Sequence, residues 1–376
     1  MSRRLPAAVA ALVVLTGCSP SLEAGTPSGA VSSATAEVGA SAEVSGPAEF
    51  TLVATGDVLI HPALTEQAEA DGDGGRDFRP LFAGVRPLVS SADVALCHLE
   101  VPLAGPDGPF SGYPSFSAPP EVADALADTG YDACSTASNH TLDQGVDGVR
   151  STLDALDKAG LAHTGSYRSE QESRRPLLLD VNGVRVGHIS MTYGFNGIPL
   201  PEDQPWVADQ LDVAVAKRKA AAARKAGADV VVVSAHWGVE HQHEPTPEQR
   251  KLAEELLADD DIDLVIGHHA HVVQPMERID GEWVAYGLGN HVARHAEPTG
   301  ATEEGIAVRF TFRRSADGWR VRQAEYVPTL IDLGPPIRLR DLSAEDAGTY
   351  VDALERIDDV VLSLGAEADG LTRPGR

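Results

Sequence analysis

Positive charge is scarce in this chain. Its 376 residues carry 30 Lys and Arg against 56 Asp and Glu, a formal net charge of −26. No basic patch interrupts the acid, which argues against a nucleic-acid partner. Any anionic substrate must be held by local groups or metal ions, because the overall field repels it. Thiols are scarcer still, with three cysteines, and no internal repeat points to a solenoid or propeller. Long apolar runs are missing from the body of the chain. The run nearest to one, "LPAAVAALVVL" after the basic start "MSRR", is too short for a permanent membrane anchor. It reads instead as a signal peptide over residues 1–17. Its ending, Leu15-Thr16-Gly17-Cys18, resembles a bacterial lipobox, in which Cys18 is acylated and becomes the new N-terminus. The alternative is an ordinary secretory signal with a chance cysteine.

Residues 18–48 contain no large aromatic residue and no apolar periodicity, and are rich in Ser, Ala, Gly, Thr, Pro and Glu. That composition describes a tether between a lipid and a folded domain. A folded domain is expected over 49–333, followed by a C-terminal extension, 334–376, with one helix.

What the folded part does contain is a series of apolar runs: 49–55, 92–97, 131–137, 228–235, 262–267 and 283–289. Near-continuous runs of this kind predict strands buried on both faces. Helical spacing over 146–159, 209–226 and 247–258 alternates with them. Together these predict an α/β layered domain with buried central sheets and flanking helices. Asn182-Gly183 and Asp317-Gly318 each sit between two strand-like stretches and predict hairpins. A last amphipathic helix is expected over 343–364, opened by Ser343.

Polar residues fall just past the ends of these runs. Asp57, Glu100, Asn139, His140, His236, His269 and His271 all do so, and that edge is where ligands of open α/β sheets bind. A single His or Asp at a strand end is usually a cap or a satisfied polar group. Seven at successive ends are hard to explain by capping. Carboxylate, amide carbonyl and imidazole without thiolate suit Mn, Fe or Zn, and the mix fits a hydrolytic centre of one or two divalent ions that activate water and hold an oxyanion.

The series Gly56-Asp57, Leu99-Glu100, "ASNHTLDQG" (137–145), "HWGVE" (236–240), "GHHAHVVQ" (267–274) and "GLGNH" (287–291) resembles the CapA family, capsule and poly-γ-glutamate synthesis proteins with a metallophosphoesterase-like (calcineurin-like) fold. The resemblance covers roughly residues 50–330. It implies metal binding by Asp57, Glu100, Asn139, His236, His269 and His271, with His268 a bystander. It implies a general acid at His140; Asp143, three residues on, either orients that imidazole, coordinates a metal or caps the helix that follows. It departs from the pattern in two places. Leu59 stands where the phosphoesterase pattern has His, with His61 the nearest imidazole, and His98 replaces the Asn of Asn-Leu-Glu. His98, His61, Glu240 and Asn290 are therefore read as residues that support the ligands or substitute for one. Cys97 and Cys134, ending neighbouring runs, are either a disulfide or buried free thiols.

The lipobox-like ending implies a lipid-anchored protein outside the cytoplasmic membrane, and the family resemblance implies that it meets an anionic polymer or the capsule machinery. It acts there either as a hydrolase or as a non-catalytic handling factor with a metal-stabilised fold. Stable anchoring takes more than one acyl chain, which a processed lipobox cysteine supplies. Cys18→Ser is expected to release the protein from membranes or leave it as unprocessed precursor in a fractionation assay. Unchanged processing and membrane retention would exclude the lipobox.

Overall fold

The computed structural model describes residues 48–375 apart from 317 and 347. Cys18, the signal segment, nearly all of the tether and Asp317 of the second hairpin turn lie outside the described residues. The first apolar runs become β1 (Glu49–Val58) and β2 (Val94–Leu99). The third is a strand only over β3 (Ala133–Ser135), followed by β4 (Ala162–Thr164). The Asn182-Gly183 hairpin joins β5 (Leu177–Val181) to β6 (Val184–Thr192). Both turn residues have positive φ, 55° and 88°, the backbone that a tight twisted hairpin needs.

The later runs give β7 (Val230–His236), β8 (Leu264–His268), β9 (Met276–Ile279), β10 (Glu282–Ala285) and β11 (Asn290–Val292). The second hairpin is β12 (Glu304–Ser315) and β13 (Gly318–Asp332), and β14 (Arg338–Asp341) and β15 (Leu371–Thr372) follow.

These strands make two sheets. One runs β14-β13-β12-β1-β2-β3-β4, with β11 beside β1 and β15 beside β13; the other runs β5-β6-β7-β8-β10-β9. β1 to β4 are mutually parallel, as are β6, β7, β8 and β10, while the hairpins at the edges are antiparallel.

The run Val230-Val231-Val232-Val233 shows why such strands lack polar alternation. Val230 and Val232 join Leu52, Leu96, Ile266 and Phe310 in a core shared by both sheets. Val231 and Val233 face the other way, onto Ala216, Ala220, Ala253 and Leu256 of the helices Val213–Lys225 and Pro247–Leu257. On the first sheet, Cys97 and Leu99 pack against Val122, Leu126 and Leu153 of the helices Glu121–Thr129 and Gly145–Ala159. The result is four layers, helix, sheet, sheet and helix, in which both faces of the central strands are buried. Each fully buried Val or Leu contributes on the order of 1.5–3 kcal/mol.

Helix ends follow local chemistry. Pro247–Leu257 opens on a capping box, with Thr246 Oγ1 accepting from Gln249 N and Gln249 Oε1 accepting from Thr246 N. The helix expected over 209–226 begins only at Val213, because the Asp212 carboxylate accepts from Val215 N and caps it there. The last helix is shorter than expected, Val351–Val361. Ser343 does not open it: its N–H and hydroxyl both donate to Asp341 Oδ1 and close a turn. Residues 334–375, apart from 347, are built into the fold. β14 and β15 pair with β13, and Leu354, Ile357 and Val361 enter the shared core.

Cys97 and Cys134 face each other across β2 and β3, with Cα atoms 4.5 Å apart, and form a disulfide. The chain crosses from the second sheet to the first between β10 and β11. It can do so because Gly56 lets β1 and the Gly289 backbone meet: a Cβ at Gly56 would lie 2.1 Å from Gly289 O. Asp57 N donates to that same oxygen at 3.0 Å. Gly56→Ala is expected to destabilise the protein by about 1–3 kcal/mol in denaturant unfolding, as overpacking does. Gly75→Ala, with nothing within 4 Å of the added carbon, is the control. Equal stabilities for the two variants would contradict the close approach.

Candidate metal centre

The parallel strands of both sheets end at one place. β1 delivers Asp57, and the residues after β2 and β3 deliver Glu100, Asn139 and His140. β7 ends on His236, β8 is followed by His269 and His271, and β11 begins with Asn290. All eight are buried, with 5% exposure or less. Two of them sit on unusual backbone: His269 has φ 94° and His271 φ 56°, and non-glycine residues held in that region cluster at functional sites. Both turns bring their imidazoles back toward Asp57.

Contacts link the two sheets. The Asp57 carboxylate accepts from His269 N at 3.1 Å, and its oxygens stand 3.1 Å from His268 Nδ1 and 3.3 Å from His271 Nδ1. His271 Nε2 lies 3.5 Å from Glu100 Oε1. His236 Nε2 meets Asn139 Oδ1 at 2.9 Å, and its Nδ1 meets His98 Nε2 at 3.0 Å. His236 and His269 ring centres are 4.7 Å apart. The six residues read as ligands thus share one cluster. One donor atom each of Asp57, Glu100 and His271 lie within 4.8 Å of one another, as do those of His269, His271 and the rim residue Glu240.

Beside the cluster, His140 Nδ1 is 2.7 Å from Asp143 Oδ2, which also accepts from Phe116 N at 2.7 Å. Asn290 Oδ1 lies 3.0 Å from His271 Nδ1, and its amide group donates to the backbone of His271 and Thr302. Glu240 is exposed at the rim. His98 lies behind His236, its Nδ1 2.8 Å from Ser135 Oγ. His61 stands apart from the carboxylates, its Nδ1 accepting from Arg294 N, while Leu59 is buried.

His268 is not the bystander expected of it. Besides contacting Asp57, its ring stacks on His98 with centres 4.0 Å apart, and Asp57, His98 and His268 form a third possible donor set. His295 was not singled out by its sequence position. Its Nε2 is 3.2 Å from Asn290 Nδ2 and its ring centre 5.5 Å from that of His271. No strand-end rule finds it, because it lies three residues beyond β11.

The electrostatics describe a site short of positive charge. Burial pushes the Glu100 carboxyl up to about 7, with the neighbouring Asp57 charge adding to it. Burial alone would depress His271, but the carboxylates of Glu100 and Asp57 override it and hold this imidazole up at about 10. Burial also opposes ionisation of Asp57, yet hydrogen bonds from His268 and His271 keep it well below the usual carboxylate range. Burial drives His269 down to about 3, and His98 and His236 well below their ordinary value.

Those imidazoles are therefore neutral, as metal ligands must be. Both Glu100 oxygens and His269 Nδ1 are buried without a hydrogen-bond partner. Buried polar atoms are normally paired, and a carboxylate with empty lone pairs, in a cluster that also holds the neutral imidazoles of His236 and His269, fits a divalent cation.

Residues 51–295 match the family described as bacterial capsule synthesis protein PGA_cap. The chain is similar to the capsule biosynthesis protein CapA of Bacillus anthracis, 28% identical over 253 residues, which cover 65% of this chain and 60% of that one. It is similar to the PGA biosynthesis protein CapA of Bacillus subtilis (strain 168), 32% identical over 174 residues, 46% of this chain and 45% of that one. It thus spans less than two thirds of either relative. Among solved structures it is similar to the calcineurin-like phosphoesterase YfkN of Bacillus subtilis, at TM-score 0.45 and 18% identity over 82% of this chain and 98% of that one. It is also similar to the NAD nucleotidase of Haemophilus influenzae, at TM-score 0.45 and 12% identity over 85% of this chain and 67% of that one. The chain belongs to the PGA_cap family of bacterial capsule synthesis proteins.

Loss of a residue whose donor atoms have no other partner should remove metal rather than unfold the protein. Glu100→Gln and His269→Ala are each expected to lower bound divalent metal at least tenfold in equilibrium dialysis with elemental analysis. His140→Ala is expected to retain it. Metal loss equal in all three would make His140 a ligand.

Proposed function

We propose that this PGA_cap protein is a metal-dependent hydrolase of a phosphoester or related bond, acting outside the cytoplasmic membrane in the assembly of a poly-γ-glutamate-type capsule polymer. Asp57, Glu100, Asn139, His236, His269 and His271 would hold one or two divalent ions. Such ions supply Lewis acidity and activate water. The observation that carries the reading is the pairing of His140 with Asp143 at the edge of a cluster whose Glu100 oxygens lack donors.

His140 offers its Nδ1 to Asp143, which leaves Nε2 free to hold a proton for a leaving group. Burial works against a charged imidazole here, but the Asp143 hydrogen bond and the Glu100 charge outweigh it and raise the value above the ordinary one. A raised value favours the protonated imidazole, the form a general acid needs. Asp143, fixed in turn by Phe116 N, positions the ring. Room for substrate lies next to the cluster. A cavity of about 250 Å³ is lined by Tyr193, Trp237, Gly238 and Val239 among others, and the Tyr193 ring centre is 4.7 Å from that of His269.

The extracytoplasmic setting is supported by the Cys97–Cys134 disulfide, which persists in oxidising compartments, and by the lipobox-like Cys18. The capsule role is supported by the family and by the names of the two Bacillus relatives. One observation favours a second reading, a non-catalytic polymer-handling factor whose metal stabilises the fold. The position two residues after Asp57 is a buried leucine, Leu59, so one ligand of the wider phosphoesterase pattern is missing.

General acid help is worth roughly 10²–10⁴-fold. His140→Ala should lose rate on that order with phosphodiesters of poor leaving groups and recover in part with acidic leaving groups, which need no proton. His269→Ala should show no such recovery. Metal-replete wild type with no turnover of any ester would sink the hydrolase in favour of the handling factor.

A further inference from the structure

Away from the metal centre, a cavity of about 230 Å³ opens between the helix Val213–Lys225 and the edge where β4, β5 and β6 meet. Its wall is largely aliphatic, with Leu177, Ile189 and Val215, and four cationic side chains line it: Arg174, Arg175, Arg218 and Lys219. Two of these are neutralised, Arg174 by Glu170 and Lys219 by Asp209. Arg175 and Arg218 are exposed, and neither guanidinium has an ion pair among the described residues. In a chain with a formal charge of −26, two uncompensated guanidiniums on one cavity are conspicuous.

A second observation comes from His188, which lines the same cavity and is 2% exposed. Its Nε2 is 2.9 Å from Ser234 Oγ, and its Nδ1 is buried without a partner. The cavity therefore combines an apolar wall, one orphaned buried polar atom and a net charge of two guanidiniums.

We infer that this cavity is a binding site for a small organic carboxylate with an apolar body. The carboxylate meets Arg175 and Arg218, whose planar donors suit carboxylate geometry, and the aliphatic part lies on Leu177, Ile189 and Val215. A bare inorganic anion satisfies the guanidiniums but leaves the apolar wall uncovered. A neutral apolar molecule covers the wall but leaves the charge unanswered. The site shares none of the residues assigned to the metal centre, so it stands or falls independently of hydrolysis.

The test is isothermal titration calorimetry of the full folded chain with hexanoate, hexanamide and inorganic phosphate. Hexanoate is expected to bind, with hexanamide and phosphate each at least tenfold weaker. The exposed double variant Arg175→Glu/Arg218→Glu is expected to weaken hexanoate at least tenfold, with melting temperature and metal content unchanged. Arg175→Lys/Arg218→Lys should keep part of the affinity. The inference is overturned by wild type that does not bind hexanoate, by hexanamide or phosphate binding as tightly, or by a charge-reversed variant that binds as well as wild type.

Discussion

Glu100 brings a carboxylate into an interior where nothing donates to either oxygen, and the centre is organised around that deficit. An uncompensated buried charge costs several kcal/mol. Without a cation the chain can relieve the cost in two ways. The carboxyl can be held partly protonated, as its rise to about 7 indicates, and one imidazole, His271, can be held charged beside it. The remaining imidazoles cannot help, because burial keeps them neutral. A divalent ion would answer all of these at once: it would give Glu100 a counter-charge, give His236 and His269 a partner, and favour an unprotonated His271.

The fold makes this concentration possible. Parallel strands in two facing sheets bring their C-terminal ends, and the start of β11, to one edge, so six segments far apart in sequence each contribute one or two side chains. Backbone crowding sets the spacing. Gly56 and Gly289 let β1 and β11 approach, and the left-handed residues His269 and His271 turn the chain after β8 so that both rings point inward. Deep burial on both faces of each central strand anchors these ends, so the polar cluster sits on a rigid apolar base.

Much of this was legible in the sequence for a physical reason. A strand buried on both faces is apolar throughout, so the polar residues just past its end stand out; Asp57, Glu100, Asn139, His236, His269 and His271 all lie there, and the family resemblance picked them out from polar neighbours such as His98 and His268. Other features left no such mark. The run at 283–289 reads as one strand, yet β10 stops at Ala285 and β11 begins at Asn290 in the other sheet. Periodicity cannot report which sheet a strand joins. His268 and His295 depend on contacts across the sheets. The start of the last helix was misplaced because Ser343 pairs with Asp341 in a turn, a local competition between side chain and backbone.

The claim that this cluster is a metal centre is tested most directly by anomalous X-ray diffraction from crystals grown with Zn(II). One or two anomalous peaks are predicted between Asp57, Glu100, His236, His269 and His271, within roughly 2.0–2.2 Å of their donor atoms. Ordered crystals with these residues clearly defined and no anomalous peak among them would contradict the account.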